Sequence, residues 1–186
     1  MVELCLPIDS QKRLIEIARL TLDAVVRHRI LQKYPSCDPY LERENFGAFV
    51  TLFKQNELRG CIGTCAPSHS LRGTVIEMTE AAATRDPRVK PIRAEELERI
   101  HIDVSVLSRL EVAAEPLALE VGRHGLHISH GGKRSLLLPQ VAVEHRWDMK
   151  TFLEQTSVKA ELPKDAWRWP ETVVSSFTAL VIEEAR

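Results

Sequence analysis

One short stretch of the sequence, residues 58–64 (LRGCIGT), holds the side chains best suited to chemistry. Successive side chains of a regular β-strand alternate between its two faces, so we expect Arg59 and Cys61 to project to the same face. A guanidinium beside a thiol favours the thiolate and lowers the cysteine pKa from its ordinary value of about 8.5, which is the usual origin of a reactive cysteine. Gly60 and Gly63 would let a ligand or another chain segment approach the backbone closely. The same residues are also compatible with a buried, unreactive cysteine and a surface arginine.

Three other side chains are candidates for a binding role. Asp86 ends a helical pattern in an Asp-Pro pair, and its carboxylate would either border a ligand cleft or only form the turn. If the segment after Pro139 is helical, Gln140 and Glu144 lie on one face, one turn apart, and present an amide and a carboxylate together. A solvated helix face is the alternative for this pair.

The sequence predicts no metal site and no common cofactor motif. Three residues separate Cys61 from Cys65, whereas two residues separate the cysteines of the usual zinc and redox pairs. On a strand His127 would face away from His124 and His130, so these side chains would not converge on one ion. The chain carries no Walker-type phosphate loop, dinucleotide fingerprint or nucleophile elbow. A cofactor therefore stays unassigned.

The elements that must position these residues mix helices and strands irregularly. Two long amphipathic helices are predicted, from Asp9 or Ser10 to about Gln32 and from just after Pro67 to Asp86-Pro87, with a connecting loop over residues 33–45. Strands are predicted at 46–53, 58–64, 100–108, 124–130, 135–139 and 172–182. Shorter helices are predicted at 139–144, opened by Pro139, and at 148–156, capped by Asp148. Hairpin-like strands between separated helices favour an α+β fold with a mainly antiparallel sheet and flanking helices.

The composition is that of a globular protein without a strong net charge. The 186 residues are 44% hydrophobic, and surface scaling lets about 70% of the surface be buried, which suits one domain. The formal net charge of −1 gives no positive field for a phosphate backbone, so nucleic-acid binding is not expected. The N-terminal residues lack a secretory signal pattern, and the apolar runs are far shorter than the roughly 20 residues that cross a bilayer. We therefore expect a cytoplasmic protein with reduced cysteines and no membrane segment.

Four strings, taken in order, resemble the AMMECR domain family, whose prokaryotic members are called AmmeMemoRadiSam system protein A. They are GAFVTL with LRGCIGT, AAATRDPRVKPIRAEEL, IDVSVLS, and GGKRSLLLPQVAVEHRWDMKTFLEQTSVKAELPKDAW, and the resemblance covers about residues 10–182. It implies that residues 1–186 form a single AMMECR domain, in which a larger and a smaller lobe flank a cleft beside the RGCIG segment. The site positions that it implies are Arg59, Gly60, Cys61, Gly63, Pro139 and Gln140, with Asp86 and Glu144 as weaker candidates.

The resemblance also implies partners but no reaction. Prokaryotic family members are genetically associated with a Memo-like protein and a radical S-adenosylmethionine enzyme. We therefore expect an accessory or binding module that holds a small molecule or a partner segment in the cleft beside Cys61. The alternative is a thiol-dependent enzyme in which Cys61 is the nucleophile and Arg59 activates it or binds an anionic substrate.

Three residues depart from the pattern that the resemblance implies. Val89 stands where a phenylalanine is usual after Asp-Pro-Arg, Ser157 stands where a cysteine is common, and Glu161 stands where a glycine is usual. A disulfide between Cys61 and position 157 is therefore impossible in this chain.

Overall fold

A computed structural model of the chain describes residues 4–30, 38–44 and 46–185. The elements in chain order are α1 (Ile8–Val26), β1 (Gly47–Lys54), β2 (Glu57–Thr64), α2 (Leu71–Thr84), β3 (Ile100–Leu107), β4 (Glu111–Val112), β5 (Gly125–His130), β6 (Lys133–Leu137), α3 (Pro139–Glu144), α4 (Met149–Lys159), β7 (Val173–Phe177) and β8 (Ala179–Glu183). They form two four-stranded sheets with helices, which confirms the predicted α+β fold with antiparallel sheets. No helix within the described ranges is long and apolar enough to cross a membrane.

The chain divides into two compact units. The first unit comprises residues 5–107 and the end of the chain from residue 180, and the second comprises residues 108–179. The C-terminal segment that the sequence predicts as one strand is two strands, and they belong to different sheets: β7 pairs with β4 and β5, whereas β8 lies beside β3. Thr178, between them, is where the chain leaves one sheet for the other.

The sheet of the first unit, in the order β2-β1-β3-β8, has one face covered by helices. Alternate residues of the two central strands are fully buried on this face: Ala48, Val50, Leu52, Ile102, Val104 and Val106. Helix α2 lies against β1 and β2, and α1 lies against α2 and β3. The side chain of Ser70 accepts a hydrogen bond from the Gly73 N–H (3.3 Å) and caps α2, which ends before Asp86-Pro87 as predicted.

The other face of this sheet carries a different set of side chains. We call it the Thr51 face and define it by Phe49, Thr51, Phe53, Cys61, His101 and Asp103. All six are half-buried. The face therefore combines two aromatic rings with groups that donate or accept protons.

The second unit has its own sheet and core. Its sheet runs in the order β4-β7-β5-β6, and its core includes Leu126, Ile128, Phe152, Leu153 and Trp167. The carboxylate of Asp148 accepts a hydrogen bond from the Thr151 N–H (2.8 Å) and caps α4, as the sequence predicts.

Two boundaries differ from the sequence-based expectations. Helix α1 ends at Val26 rather than near Gln32, and His28 just after it has a positive φ of 53°. Residues 31–37 and 45, which include the end of the predicted helix and part of the predicted loop, lie outside the described residues. The β1–β2 turn is only two residues long, since Gln55 and Asn56 both adopt positive φ (53° and 68°). Such a turn matches the twist of a hairpin, and here it forms without the usual glycine.

Helix α4 ends in a Schellman motif that explains the unusual glutamate. The N–H of Glu161 donates to the Val158 carbonyl (2.8 Å) and that of Leu162 donates to the Ser157 carbonyl (3.1 Å). This motif places Glu161 at a positive φ of 58°, where a Cβ is unfavourable and glycine is preferred. Ser157 is fully buried and its hydroxyl donates to the Leu153 carbonyl (3.0 Å).

We predict that Glu161→Gly stabilises the second unit by about 0.5 to 1 kcal/mol, because it removes the left-handed strain. Glu161→Ala is the matched control, since it removes the same carboxylate but keeps a Cβ at positive φ. Urea unfolding followed by tryptophan fluorescence measures this, because Trp147, Trp167 and Trp169 all belong to the second unit. Equal midpoints for the two variants would show that φ at this position does not limit stability.

Candidate functional site

Strand β2 forms one edge of the first unit's sheet, and it is irregular at Arg59. The pairing with β1 shifts so that Leu52 lies opposite Gly60 while Phe53 lies opposite Leu58. Arg59 is thus the extra residue of a β-bulge, which interrupts the alternation of side chains along the strand. The prediction that placed this arginine beside the thiol assumed regular alternation.

The Arg59 guanidinium fastens residues 90–96 to β2. Nη1 donates to the Lys90 carbonyl (2.5 Å) and Nη2 to the Pro91 carbonyl (3.1 Å). Nε and Nη2 also donate to the Glu96 carboxylate (3.1 and 2.9 Å). No hydrogen bond between described residues joins this guanidinium to the Cys61 thiol. The expected pair of Arg59 and Cys61 is therefore wrong, because the bulge directs Arg59 to the 90–96 segment instead.

The Glu96 carboxylate forms ion pairs with Arg59 and Lys54 beside β2. Its side chain is 9% exposed, and it also accepts hydrogen bonds from the Lys54 Nζ (2.9 Å) and the Arg93 N–H (3.1 Å). These partners, Arg59 first, lower the pKa of Glu96 to about 2 against the opposing effect of burial. The sequence analysis did not single out Glu96 or Lys54.

Cys61 is held by its main chain rather than by its side chain. Its N–H donates to Asp86 Oδ2 (2.8 Å), and its carbonyl accepts a hydrogen bond from Arg88 Nη2 (2.8 Å). These bonds satisfy the outward-facing main-chain groups of an edge strand. The half-buried thiol itself accepts a hydrogen bond from the Thr51 hydroxyl (3.2 Å).

Asp86 and Arg88 form a closed pair beside this cysteine. Asp86 Oδ1 accepts hydrogen bonds from the N–H (3.0 Å) and Nε (2.9 Å) of Arg88, and Oδ2 accepts one from Nη2 (2.7 Å). The Asp86 side chain is fully buried whereas that of Arg88 is 57% exposed. The Arg88 hydrogen bonds, helped by the Cys61 N–H and opposed by burial, hold the pKa of Asp86 well below its usual range. The pKa of Arg88 is raised, by Asp86 first and to a smaller extent by the nearby Cys61 thiol.

The guanidinium next to Cys61 is therefore that of Arg88 and not that of Arg59, which the strand pattern predicted. The sequence offered two roles for Asp86, which were to form a turn or to border a ligand cleft. The Asp86 carboxylate forms the turn, and it also accepts a hydrogen bond from the Cys61 N–H of β2. The Asp-Pro-Arg order was visible in the sequence, but nothing in it shows which strand the pair meets.

The two candidate glycines make room for other parts of the same unit. A Cβ on Gly60 would lie 2.3 Å from the Ala82 carbonyl oxygen of α2. A Cβ on Gly63 would lie 2.1 Å from Cγ of the Phe49 ring. The space in front of each glycine is thus filled by a helix backbone and by an aromatic ring.

The Thr51 face continues from Cys61 across the sheet. Thr51 lies opposite Cys61 on one side and opposite Asp103 on the other. His101 Nε2 is 3.5 Å from Asp103 Oδ1. A cavity of about 190 Å³ lies at this end of the face, lined by Phe53, Asn56, His101, Asp103 and Glu183.

A larger cavity of the first unit, about 670 Å³, does not include Cys61. It is lined by polar groups of α1, the β1–β2 turn and the start of β3, among them Arg19, Asp23, Asn56, Arg99, His101 and Glu184. Arg19 forms an ion pair with Glu184 and donates to the Leu97 and Ile100 carbonyls (3.2 and 2.7 Å). Much of the polar lining of this cavity therefore already forms bonds that hold α1, β3 and the end of the chain together.

Gln140 and Glu144 belong to the second unit, on α3, whereas Cys61 and Asp86 belong to the first. Gln140 is half-buried and Glu144 is exposed. Helix α3 forms as predicted, with Pro139 in its first turn, so the two polar side chains do lie one turn apart. Whether they bind anything stays a prediction.

The histidines around β5 have local roles in the second unit. His124 Nδ1 accepts a hydrogen bond from the Glu120 N–H (3.0 Å), and His130 Nδ1 is 3.0 Å from the Thr172 hydroxyl. Burial, and then the charge of Arg134, lowers the pKa of His127. No group of three or more His, Cys, Asp or Glu among the described residues is placed to hold a metal ion.

We predict that ionised Glu96 stabilises the fold by up to about 3 kcal/mol at neutral pH, since one pKa unit corresponds to about 1.4 kcal/mol. Because its pKa falls from 4.5 to about 2 on folding, this contribution is complete above pH 4.5 and is lost as the pH falls toward 2. Glu96→Gln should be less stable than the parent at pH 7 and should approach it near pH 2. Urea unfolding by far-UV circular dichroism at several pH values measures the difference.

The exposed Glu98, on the same short helical turn (Ala94–Arg99), provides the control for this experiment. Glu98→Gln should have the same free energy of unfolding as the parent at every pH. A difference in free energy of unfolding between Glu96→Gln and the parent that stays constant from pH 7 to 2 would contradict the role assigned to the Glu96 carboxylate.

Known proteins resemble this chain over nearly its whole length. The AMMECR1 family model matches residues 15–182. A protein of Methanothermobacter thermautotrophicus is 42% identical over 182 residues, covering 95% of both chains, and protein TK0174 of Thermococcus kodakarensis is 41% identical, covering 92% of this chain and 88% of its own. The crystal structure of uncharacterized protein PH0010 from Pyrococcus horikoshii matches with a TM-score of 0.84 at 35% identity, covering 93% of this chain and 90% of its own. The names of these three proteins state no activity. The match of the family model over residues 15–182 and the identity to these relatives show that the chain belongs to the AMMECR1 family.

Proposed function

We propose that this protein is a cytoplasmic accessory or binding module that works with a Memo-like protein and a radical S-adenosylmethionine enzyme. The surface that it uses is the Thr51 face around Cys61. One observation carries the proposal: Arg59, Glu96 and Asp86 around the RGCIG segment hold the first unit together, and the two carboxylates accept their hydrogen bonds from groups other than the thiol.

The hydrogen bonds around Cys61 support binding over catalysis. A general base must lie within hydrogen-bond reach of the group that it deprotonates. The Thr51 hydroxyl donates to the thiol, and Asp86 is directed at the Cys61 main chain and at Arg88. Asp86 and Glu96, the two buried carboxylates beside β2, accept their hydrogen bonds from other groups.

The Thr51 face has the mixed character of a binding surface. Ligand sites combine apolar and aromatic walls with a few placed polar groups. Phe49 and Phe53 supply the rings, while Thr51, Cys61 and Asp103 supply the polar groups between them. A small molecule or a segment of a partner would cover this half-buried set.

Thiol-dependent catalysis is the second candidate function, favoured by the guanidinium of Arg88 beside Cys61. In this alternative Cys61 is the nucleophile, and Arg88 takes the anion-binding role that the sequence assigned to Arg59. The proton acceptor would have to come from the substrate or from a partner.

We predict that the tagged protein captures the Memo-like protein and the radical enzyme when the three are co-expressed. Thr51→Arg should weaken this capture roughly tenfold, because it places a long charged side chain at the centre of the face. Ser68→Arg, which adds the same charge at an exposed loop residue, should capture both partners like the parent. Quantitative pull-down measures the three proteins, with circular dichroism confirming that each variant is folded.

Cys61→Ser separates the two candidate functions. Capture should be retained with this variant in both cases, so turnover of the assembled system is the quantity that differs. A binding module should retain turnover, whereas a thiol enzyme should lose all of it. Failure of the parent to capture either partner would overturn the proposal.

A further inference from the structure

We infer that Arg88 and the Cys61 thiol form a subsite for an anionic ligand of the carboxylate class. This inference rests on the proposed use of the surface around Cys61, and it adds the chemical class of the ligand. It assigns to Arg88 a binding role beyond its part in holding β2.

The Arg88 guanidinium is fixed in place but only partly used. Its Nε and Nη2 donate to Asp86, and Nη2 also donates to the Cys61 carbonyl. Nη1 donates to no oxygen acceptor among the described residues. The side chain is 57% exposed and interacts with the Cys61 side chain, and Nη1 is the nitrogen that we assign to the ligand.

Asp86 orients this cation without presenting its own charge to a ligand. Its side chain is fully buried and its two oxygens accept four hydrogen bonds from Arg88 and Cys61. The carboxylate thus lies against Nε and Nη2 of the guanidinium, on the side away from Nη1. The buried carboxylate is less accessible to a ligand than the 57% exposed Arg88 side chain.

The thiol lies next to these donors. The pKa of Arg88 is raised partly by the Cys61 thiol, which places the two side chains within electrostatic reach of each other. Two other cations near β2, Arg59 and Lys54, both bind Glu96. Arg88, whose Nη2 donates to the Cys61 carbonyl, is the cation that we assign to an anion beside Sγ.

A carboxylate suits this geometry. Asp86 occupies the parallel N–H groups of Nε and Nη2, so a ligand carboxylate would accept from Nη1, in a charge-assisted bond that is stronger than a neutral one. An anion bound by this guanidinium would lie close to Cys61, because Nη2 donates to the carbonyl of that residue. A neutral analogue would lack this attraction.

Two alkylating agents of similar size test the inference. Iodoacetate carries a carboxylate and iodoacetamide a neutral amide. In both reactions the Cys61 sulfur attacks the CH₂ carbon, the S–C bond forms as the C–I bond breaks, iodide leaves with the bonding pair, and the thiol proton goes to solvent. Because both reagents need the same thiolate, the ratio of their rates cancels the thiolate fraction and reports the anion preference alone.

The full chain with Cys65→Ser is the parent for the measurement, because Cys65 shares a tryptic peptide with Cys61. Mass spectrometry of that peptide gives both rates, and N-acetylcysteinamide serves as the neutral model thiol. We expect the iodoacetate-to-iodoacetamide ratio at Cys61 to exceed that of the model thiol by roughly three- to tenfold. Arg88→Gln should return the ratio to the model value, and Arg88→Lys should keep part of the excess.

Arg85→Gln is the matched control, since Arg85 is exposed three positions earlier and its Nη2 is 3.8 Å from Glu80. It should leave the ratio unchanged. The inference is overturned by a parent ratio equal to that of the model thiol, by a ratio that Arg88→Gln does not change, or by a Cys61 that neither reagent alkylates. Should Arg88→Gln fail to fold, the comparison of the parent with the model thiol still decides. Partner capture is measured separately, so its failure and a failure here are distinguishable.

Discussion

A strand at the edge of a sheet exposes main-chain N–H and C=O groups that need partners, and β2 meets this constraint with charged side chains. Asp86 accepts from the Cys61 N–H and Arg88 donates to its carbonyl. Both side chains come from the turn that ends α2, so the helix stop and the strand edge are fixed by the same pair. The proximity of a guanidinium to the thiol follows from this structural role.

Two ionic groups lie beside β2, and they differ in the N–H groups that they leave available. Around Glu96 the guanidinium of Arg59 donates to two carbonyls as well as to the carboxylate, so four of its five N–H groups have partners. At Asp86 the Arg88 guanidinium keeps Nη1 without an oxygen acceptor among the described residues. A buried carboxylate with all of its donors around it contributes to stability, whereas a cation that is only half satisfied is available for recognition. This difference, rather than the number of charges, separates a structural clamp from a subsite.

Local sequence signals predicted the elements well, and long-range pairing explains what they missed. The Ser70 cap and Asp86-Pro87 bound α2, and the alternation over residues 100–107 marks β3, because these signals act within a few residues. The bulge at Arg59 depends on a two-residue turn and on the pairing with β1, and no period in the sequence encodes it. The partners of Cys61 come from a turn 25 and 27 residues away, so the sequence named the thiol but not the arginine beside it.

Packing and hydrogen bonds within the first unit explain Arg59, Gly60 and Gly63 of the RGCIG segment. They do not explain why the remaining residue, Cys61, is a cysteine. Gly60 admits α2, Gly63 admits the Phe49 ring, and Arg59 holds residues 90–96. The main chain of Cys61 is needed at the strand edge, but any residue except proline supplies an N–H and a carbonyl there. Its thiol accepts a hydrogen bond from Thr51 and interacts with Arg88, and an alanine or serine would fill the same strand position. The sulfur is thus the atom of this segment that folding does not explain, and its place beside a half-satisfied guanidinium is the reason to seek its role in ligand recognition.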